Sequence, residues 1–178
     1  MGWFGSARPD IDALVEAHYV SLYRYAVRLS GAANEAEDLT QETYCQAQKK
    51  LHQLREADKA KSWLFTILRN VYLHRLRSTK QERHLSLDSI AELPERSMEP
   101  LTAIDSAALQ KALNQLPESF RTPIILYYFE EFSYKEIAEQ MDVPLGTVMS
   151  RLARAKAFLR ERLTDRTDLA KVSQGEVL

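Results

Sequence analysis

Arg151, Arg154, Lys156 and Arg160 place four cations close together near the carboxy terminus, among the small residues Ser150, Ala153 and Ala157. A guanidinium can pair bidentately with a guanine edge or a phosphate, and an ammonium can neutralise a phosphate as a point charge. At about 100° per residue, a helix here carries Val148, Leu152, Ala155, Leu159 and Leu163 on one face and Ser150, Ala153, Arg154 and Ala157 on the other. Small residues around a projecting Arg154 let a helix backbone approach a major groove while neighbouring cations meet phosphates. The competing reading is an ordinary amphipathic hairpin with a solvated basic face. Upstream, Ser133 followed by Glu136 forms a capping box that starts a helix with an Ile137, Ala138 and Met141 stripe. Asp142-Val143-Pro144 breaks that helix, and a new one begins at about Pro144.

A second constellation is acidic. Asp38, Gln41, Glu42 and Cys45 recur at i, i+3, i+4 and i+7, pointing away from the Leu39, Ala47 and Leu54 side of their helix. Such a ridge is either a solvated face or a docking face. Glu35, Asp38 and Glu42 could in principle hold magnesium as helical nucleotide hydrolases do, but that needs a second carboxylate pair, for which Glu16 is the only obvious candidate. His18, His52, His74 and His84 show no metal-ligand spacing with Cys45, and no glycine-rich phosphate loop or nucleophile elbow occurs. No catalytic residue, metal, cofactor or small-molecule substrate is therefore expected. Between the two constellations, Lys59, Lys61, Trp63, Arg69, Asn70, His74, Arg75 and Arg77 mix cations with amide and aromatic groups, the parts that hold phosphates and unstacked bases. Trp63 falls on the apolar side of its helix and reads as core.

These groups need helices to position them, and the pattern supplies helix after helix. Leu14, Val15, Leu22, Ala26 and Leu29 mark the first, stopped at Gly31. Asn34 with Glu37 can cap the second, whose stripe is Ala36, Leu39, Thr43, Ala47, Leu51 and Leu54. A third, from about Lys61 to Arg77, is apolar over much of its circumference and belongs in the middle of a bundle. From 79 to 103 the periodicity fades, Pro94 and Pro100 break any helix, and Asp88, Glu92, Glu95 and Glu99 make an acidic linker. Beyond it, one helix bears Ile104, Leu109, Ala112, Leu113 and Leu116 up to Pro117, and another runs from about Phe120 to Phe132 with Ile124, Ile125, Tyr128 and Phe129 on a broad apolar surface. No strand alternation is long enough for a sheet, so the fold class is all-α.

Composition agrees. The 178 residues, 45% of them hydrophobic, supply two small cores, and a net charge of −1 must be partitioned if the chain meets nucleic acid. It is partitioned: residues 10–44 carry seven carboxylates against Arg24 and Arg28, while 59–84 carry seven cations against Glu82. Cys45 is the only cysteine, which excludes an internal disulfide and fits a reducing compartment. No apolar run reaches membrane-spanning length, and the start MGWFGS lacks a secretory signal pattern.

Four segments in order resemble bacterial sigma factors of the extracytoplasmic-function group, the smallest of the sigma-70 family. AEDLTQETY, from Ala36, is similar to the polymerase-docking helix; SWLFTILRNVYLHRLR, from Ser62, to the minus-ten helix; LPESFRTPIILYYFEEFSYKEIAEQM and PLGTVMSRLARAK to the lead-in and recognition helix of region four. The resemblance implies two helical domains, region two over 8–78 and region four over 104–164, with a flexible acidic linker at 79–103 and a polar tail at 165–178. It implies that Asp38, Leu39, Gln41, Glu42 and Cys45 form the face that docks on the clamp of core RNA polymerase, with Leu39 partly structural. It assigns Lys59, Lys61, Arg69, Asn70, His74, Arg75 and Arg77 to the minus-ten element, and Thr147, Met149, Ser150, Arg151, Ala153, Arg154, Lys156 and Arg160 to the minus-thirty-five element. His74 stands where relatives often have aspartate, and Met149 where many have lysine or arginine. The implied partners are core polymerase, promoter DNA and an anti-sigma factor in a cytoplasmic setting, with no membrane insertion. A stand-alone helix-turn-helix repressor or activator and the metal-dependent nucleotide hydrolase are the alternatives.

Overall fold

A computed structural model describes the backbone of residues 10–85 and 105–173, and side-chain surroundings within 10–79 and 107–163. The chain divides into two compact units. The first contains α1 (Ile11–Ser30), α2 (Ala33–Lys50), two short 3₁₀ turns (Leu51–Gln53 and Ala57–Lys59) and α3 (Ala60–Leu85); the second contains α4 (Asp105–Gln115), α5 (Glu118–Tyr128), α6 (Tyr134–Met141) and α7 (Leu145–Ser173). No strand occurs among the described residues, and the fold is all-α.

In the first unit each helix contributes its apolar stripe to a common core of Leu14, Leu22, Tyr25, Ala26, Leu29, Ala36, Leu39, Ala47, Leu64, Phe65 and Leu68. Full burial of each large side chain is worth about 1.5–3 kcal/mol before chain entropy is set against it. The Tyr25 and Phe65 rings stack at 4.8 Å between α1 and α3. Thr40 and Thr43 enter the core because their hydroxyls donate back to the Ala36 and Leu39 carbonyls at 2.7 and 2.6 Å, leaving only methyls to pack. The Tyr72 hydroxyl of α3 donates to the Leu29 carbonyl at 3.0 Å, satisfying one of the acceptors orphaned at the end of α1.

The corner between α1 and α2 differs from the expected Asn34 cap. Gly31 takes φ 81° and its N–H returns to the Val27 carbonyl at 2.8 Å, so the chain reverses within two residues and α2 has already begun by Ala33. Asn34 is then inside the helix, and Ala32 occupies the cap position with no side-chain cap. The Ser30 hydroxyl fills the corner instead, donating to the Ala26 carbonyl at 2.9 Å. Leu54, expected at the end of the α2 stripe, is buried from beyond the helix, just after the first 3₁₀ turn.

In the second unit α7 packs against α4, α5 and α6 through Val148, Leu152 and Ala155. Arg121 of α5 donates to the Asn114 and Leu116 carbonyls, each at 2.8 Å from Nη2, and so closes the end of α4 from the next helix. Helix α5 starts two residues earlier than expected, at Glu118 behind Pro117, and stops at Tyr128 because Glu131 turns at φ 62° and the Phe132 N–H bonds the Leu126 carbonyl at 3.0 Å. Ile124 and Ile125 are buried as expected, whereas Tyr128 projects at 51% exposure. The expected Ser133 and Glu136 capping box is present, with the Glu136 carboxylate accepting the Ser133 N–H at 2.8 Å. Asp142 ends α6 at φ 52°, and the Val143 N–H reaches the Ala138 carbonyl at 3.1 Å in a Schellman-type closure.

Two helices outrun their expected domains. α3 continues past 78 to Leu85 and α7 past 164 to Ser173, because neither extension contains the proline or glycine that would stop it. Ile104 and the acidic linker residues Asp88, Glu92, Glu95 and Glu99 lie outside the described residues.

The two left-handed positions predict changes of opposite sign. Gly31→Ala puts a Cβ into that region and should destabilise the first unit by about 1–2 kcal/mol, whereas Asp142→Gly removes one and should stabilise the second unit by up to about 1 kcal/mol, both read by urea unfolding. Burial, and secondly the Lys61 ammonium, hold the His18 imidazolium below its usual value of 6.5. Its folded value being depressed, His18 contributes stability above pH 6.5 that is lost as pH falls through the folded value. Unfolding of a Trp3→Phe chain, reported by Trp63, should lose stability below pH 6.5, and His18→Gln should flatten that slope.

Candidate nucleic-acid and partner interfaces

Helix α7 divides its circumference cleanly. Val148 is fully buried, and Leu159 and Leu163 continue its side of the helix half-buried. Met149, Ser150, Ala153, Arg154, Lys156 and Arg160 are exposed, with Thr147 and Arg151 half-buried at the edge. At about 100° per residue, Gly146, Ser150, Ala153 and Ala157 form the outermost seam, with Arg151 and Arg154 on one flank and Met149, Lys156 and Arg160 on the other. A Cβ added at Gly146 would meet nothing within 4 Å, so the seam is open to its end. All the residues expected for the minus-thirty-five element thus lie on one accessible side of one helix. Sequence reasoning missed Leu145, 48% exposed at the first position of α7.

On α2, Asp38, Gln41 and Cys45 are exposed as the spacing requires. Leu39 is not: its exposure is 0%, because the same arithmetic that turns Asp38 outward turns Leu39 into the bundle, so it supports the ridge from within. Glu42 is half-buried and accepts hydrogen bonds from Arg75 Nη2 at 2.6 Å and Nε at 3.1 Å. One residue expected to face polymerase and one expected to face DNA therefore bind each other across α2 and α3. Glu35 belongs to the same neighbourhood: burial raises its pKa, Arg75 opposes that rise and Asp38 reinforces it. Of the carboxylates considered for magnesium, Glu42 and Glu35 lie beside the Arg75 guanidinium, while Asp38 is exposed and Glu16 is exposed on α1. Among the described residues no group of three or more potential ligands is arranged to hold a metal.

The cations of α3 and of the turn before it differ in their surroundings. Lys61 is half-buried with its ammonium 5.7 Å from the Phe65 ring centroid, and Arg75 is held by Glu42. Lys59 is exposed and pairs locally with Glu56 at 3.0 Å, while Arg69 is half-buried. Asn70, His74 and Arg77, at i, i+4 and i+7, form the exposed stripe. Trp63 is half-buried, neither a core residue nor a free stacking platform. Also missed were Tyr19 and Val20 of α1, 45% and 59% exposed, with Tyr19 stacked on Tyr23 at 6.2 Å. Their signal was available: both fall off the stripe that Leu14, Leu22 and Leu29 define. Tyr44 lies beside Tyr19, and burial pushes its phenol up to about 12.

Residues 14–82 match the family model for sigma-70 region 2, and residues 106–159 match that for sigma-70, region 4. The chain is 30% identical to the ECF RNA polymerase sigma factor SigW of Bacillus subtilis, over 88% of this chain and 91% of that protein. It is 37% identical to SigE of Mycolicibacterium smegmatis over 89% of this chain, a match that spans 63% of that longer relative. Among solved structures, the sigma factor RpoE of Bartonella quintana, crystallised with the anti-sigma factor NepR, superposes with a TM-score of 0.79 at 32% identity, covering 87% of this chain and 97% of that one. The chain belongs to the ECF RNA polymerase sigma factors of the sigma-70 family.

Proposed function

We propose that this chain binds core RNA polymerase, directs it to specific promoters and assists DNA melting, and that each exposed face described above has one part in that task. The ridge of Asp38, Gln41 and Cys45 docks on the polymerase clamp, with Glu42 at its edge. The stripe of Asn70, His74 and Arg77 holds the displaced strand of the minus-ten element, assisted by Lys59, Lys61, Arg69 and Arg75. Helix α7 enters the major groove of the minus-thirty-five element through its small-residue seam, with Arg154 reading a base edge and Arg160 meeting phosphate. The chain catalyses no reaction itself. Region two occupies about 8–78 and region four about 104–164, the described helices running past both ends. The setting is the bacterial cytoplasm. The complex of RpoE with NepR supports an anti-sigma protein that covers these faces until the factor is needed.

The observation that carries this reading is the α7 surface: a small-residue seam flanked by cations, oriented by a capping box and a left-handed turn. Run-off transcription with purified core polymerase tests the whole. The chain should direct transcripts that core enzyme alone does not make, and maleimide on the exposed Cys45 should abolish them while leaving helicity unchanged. Tight, sequence-specific duplex binding by the free chain, with no effect on polymerase, would establish the stand-alone repressor instead.

The two arginines of α7 predict different losses. Arg154→Ala should weaken holoenzyme binding roughly tenfold on the matched upstream element and much less on mismatched ones. Arg160→Ala should weaken binding on every sequence alike and lower the salt slope by about one counterion. Competition binding on matched and mutated duplexes separates the two roles.

A further inference from the structure

Leu145 and Met149 are out of character with the surface they occupy. They are 48% and 52% exposed; Met149 stands beside cations and small residues, and Leu145, at the first position of α7, borders a concavity it shares with Lys135, Glu139 and Asp142. One helical turn apart, they are neighbours on the same side of α7. The core does not call for them, since Val148 and Leu152 already fill the buried side. Extended along the helix, their line meets Lys156 and Arg160, seven and eleven residues beyond Met149 and within about 20° of it. Arg154 and Arg151 stand across the seam. An apolar pair at the head of a line that runs on into cations is complementary to a polyanion that offers an apolar group at short range.

The major groove of DNA has one such group, the C5-methyl of thymine. Neither side chain has a donor with which to read guanine. Ser150, the polar neighbour, engages its hydroxyl proton internally with the Thr147 carbonyl at 3.0 Å. Four residues of helix rise about 6 Å, which is close to two base-pair steps of about 3.4 Å. We propose that Leu145 and Met149 are specificity determinants that select thymine, through its C5-methyl group, at two positions about two base-pair steps apart in the upstream promoter element. This rests on the reading of α7 as a promoter-reading helix.

The experiment uses holoenzyme assembled from this chain and core polymerase. A duplex library randomised over the upstream element is selected by binding, and each thymine in the recovered sequence is then replaced by deoxyuridine, which removes the methyl and keeps every hydrogen bond. At two positions about two steps apart the replacement should weaken binding by about three- to fourfold, the worth of one buried methyl. Met149→Gln should abolish the difference between thymine and deoxyuridine at one of them and Leu145→Gln at the other, while Met149→Leu preserves it. Thermal unfolding should be unchanged in all three variants. Equal binding of thymine and deoxyuridine duplexes by the unaltered holoenzyme overturns the inference and leaves the sigma reading intact. Gln variants that assemble holoenzyme and still discriminate thymine from deoxyuridine also overturn it. A holoenzyme that selects no sequence overturns both.

Discussion

A helix has one circumference, and every helix that acts in this protein must divide it between the core and a partner. α2, α3 and α7 each carry buried and exposed residues at once. Leu39 and Asp38 are neighbours in sequence, yet one is fully buried and the other faces solvent. The same holds for Val148 and Met149. The angle of about 100° between successive side chains is thus the quantity on which both the core and the recognition faces depend. It also explains why the surface residues need so few contacts of their own: the buried residue beside each one fixes its direction.

The Glu42 and Arg75 pair shows what that economy entails. With three helices in the unit, the acidic α2 ridge and the cationic α3 surface meet at a helix boundary, and opposite charges from the two come within hydrogen-bonding reach at 2.6 Å. Both groups are partly exposed, so the pair is modest in stability terms and screened by salt. Its larger effect is on charge distribution. Arg75 contributes less positive potential to the α3 surface than its formal charge suggests, and Glu42 less negative potential to the α2 ridge.

Much of this was legible in the residues. The stripes of α1, α2 and α7, the capping box at Ser133 and the stop at Gly31 are local signals, and local signals survive folding because they describe neighbours one turn apart. The all-α class and the outward direction of Arg154 and Cys45 follow from the same arithmetic. What escaped was set by contacts far apart in sequence or by backbone angles. Arg75 meets Glu42 across 33 residues, which no periodicity announces. The early start of α2 depends on Gly31 adopting φ 81°, and the early end of α5 on Glu131 doing what glycine usually does. The family motif puts Leu39 on the expected docking face, while its spacing puts it with Ala36 and Thr43 inside, and its side chain is buried.

The closure at Asp142 has a consequence for how this protein can change. The Val143 N–H bonded to the Ala138 carbonyl and the left-handed Asp142 leave no slack between α6 and α7. One residue added or removed there would advance or retard the phase of α7 by about 100°, since its Cα trace is anchored at that corner. The position now held by Val148 would pass to a neighbour such as Met149 or Thr147, and the seam headed by Gly146 would swing to another side of the unit. Substitution can therefore alter the exposed side of α7 without moving it, whereas a change of length at the corner re-aims every side chain on the helix at once.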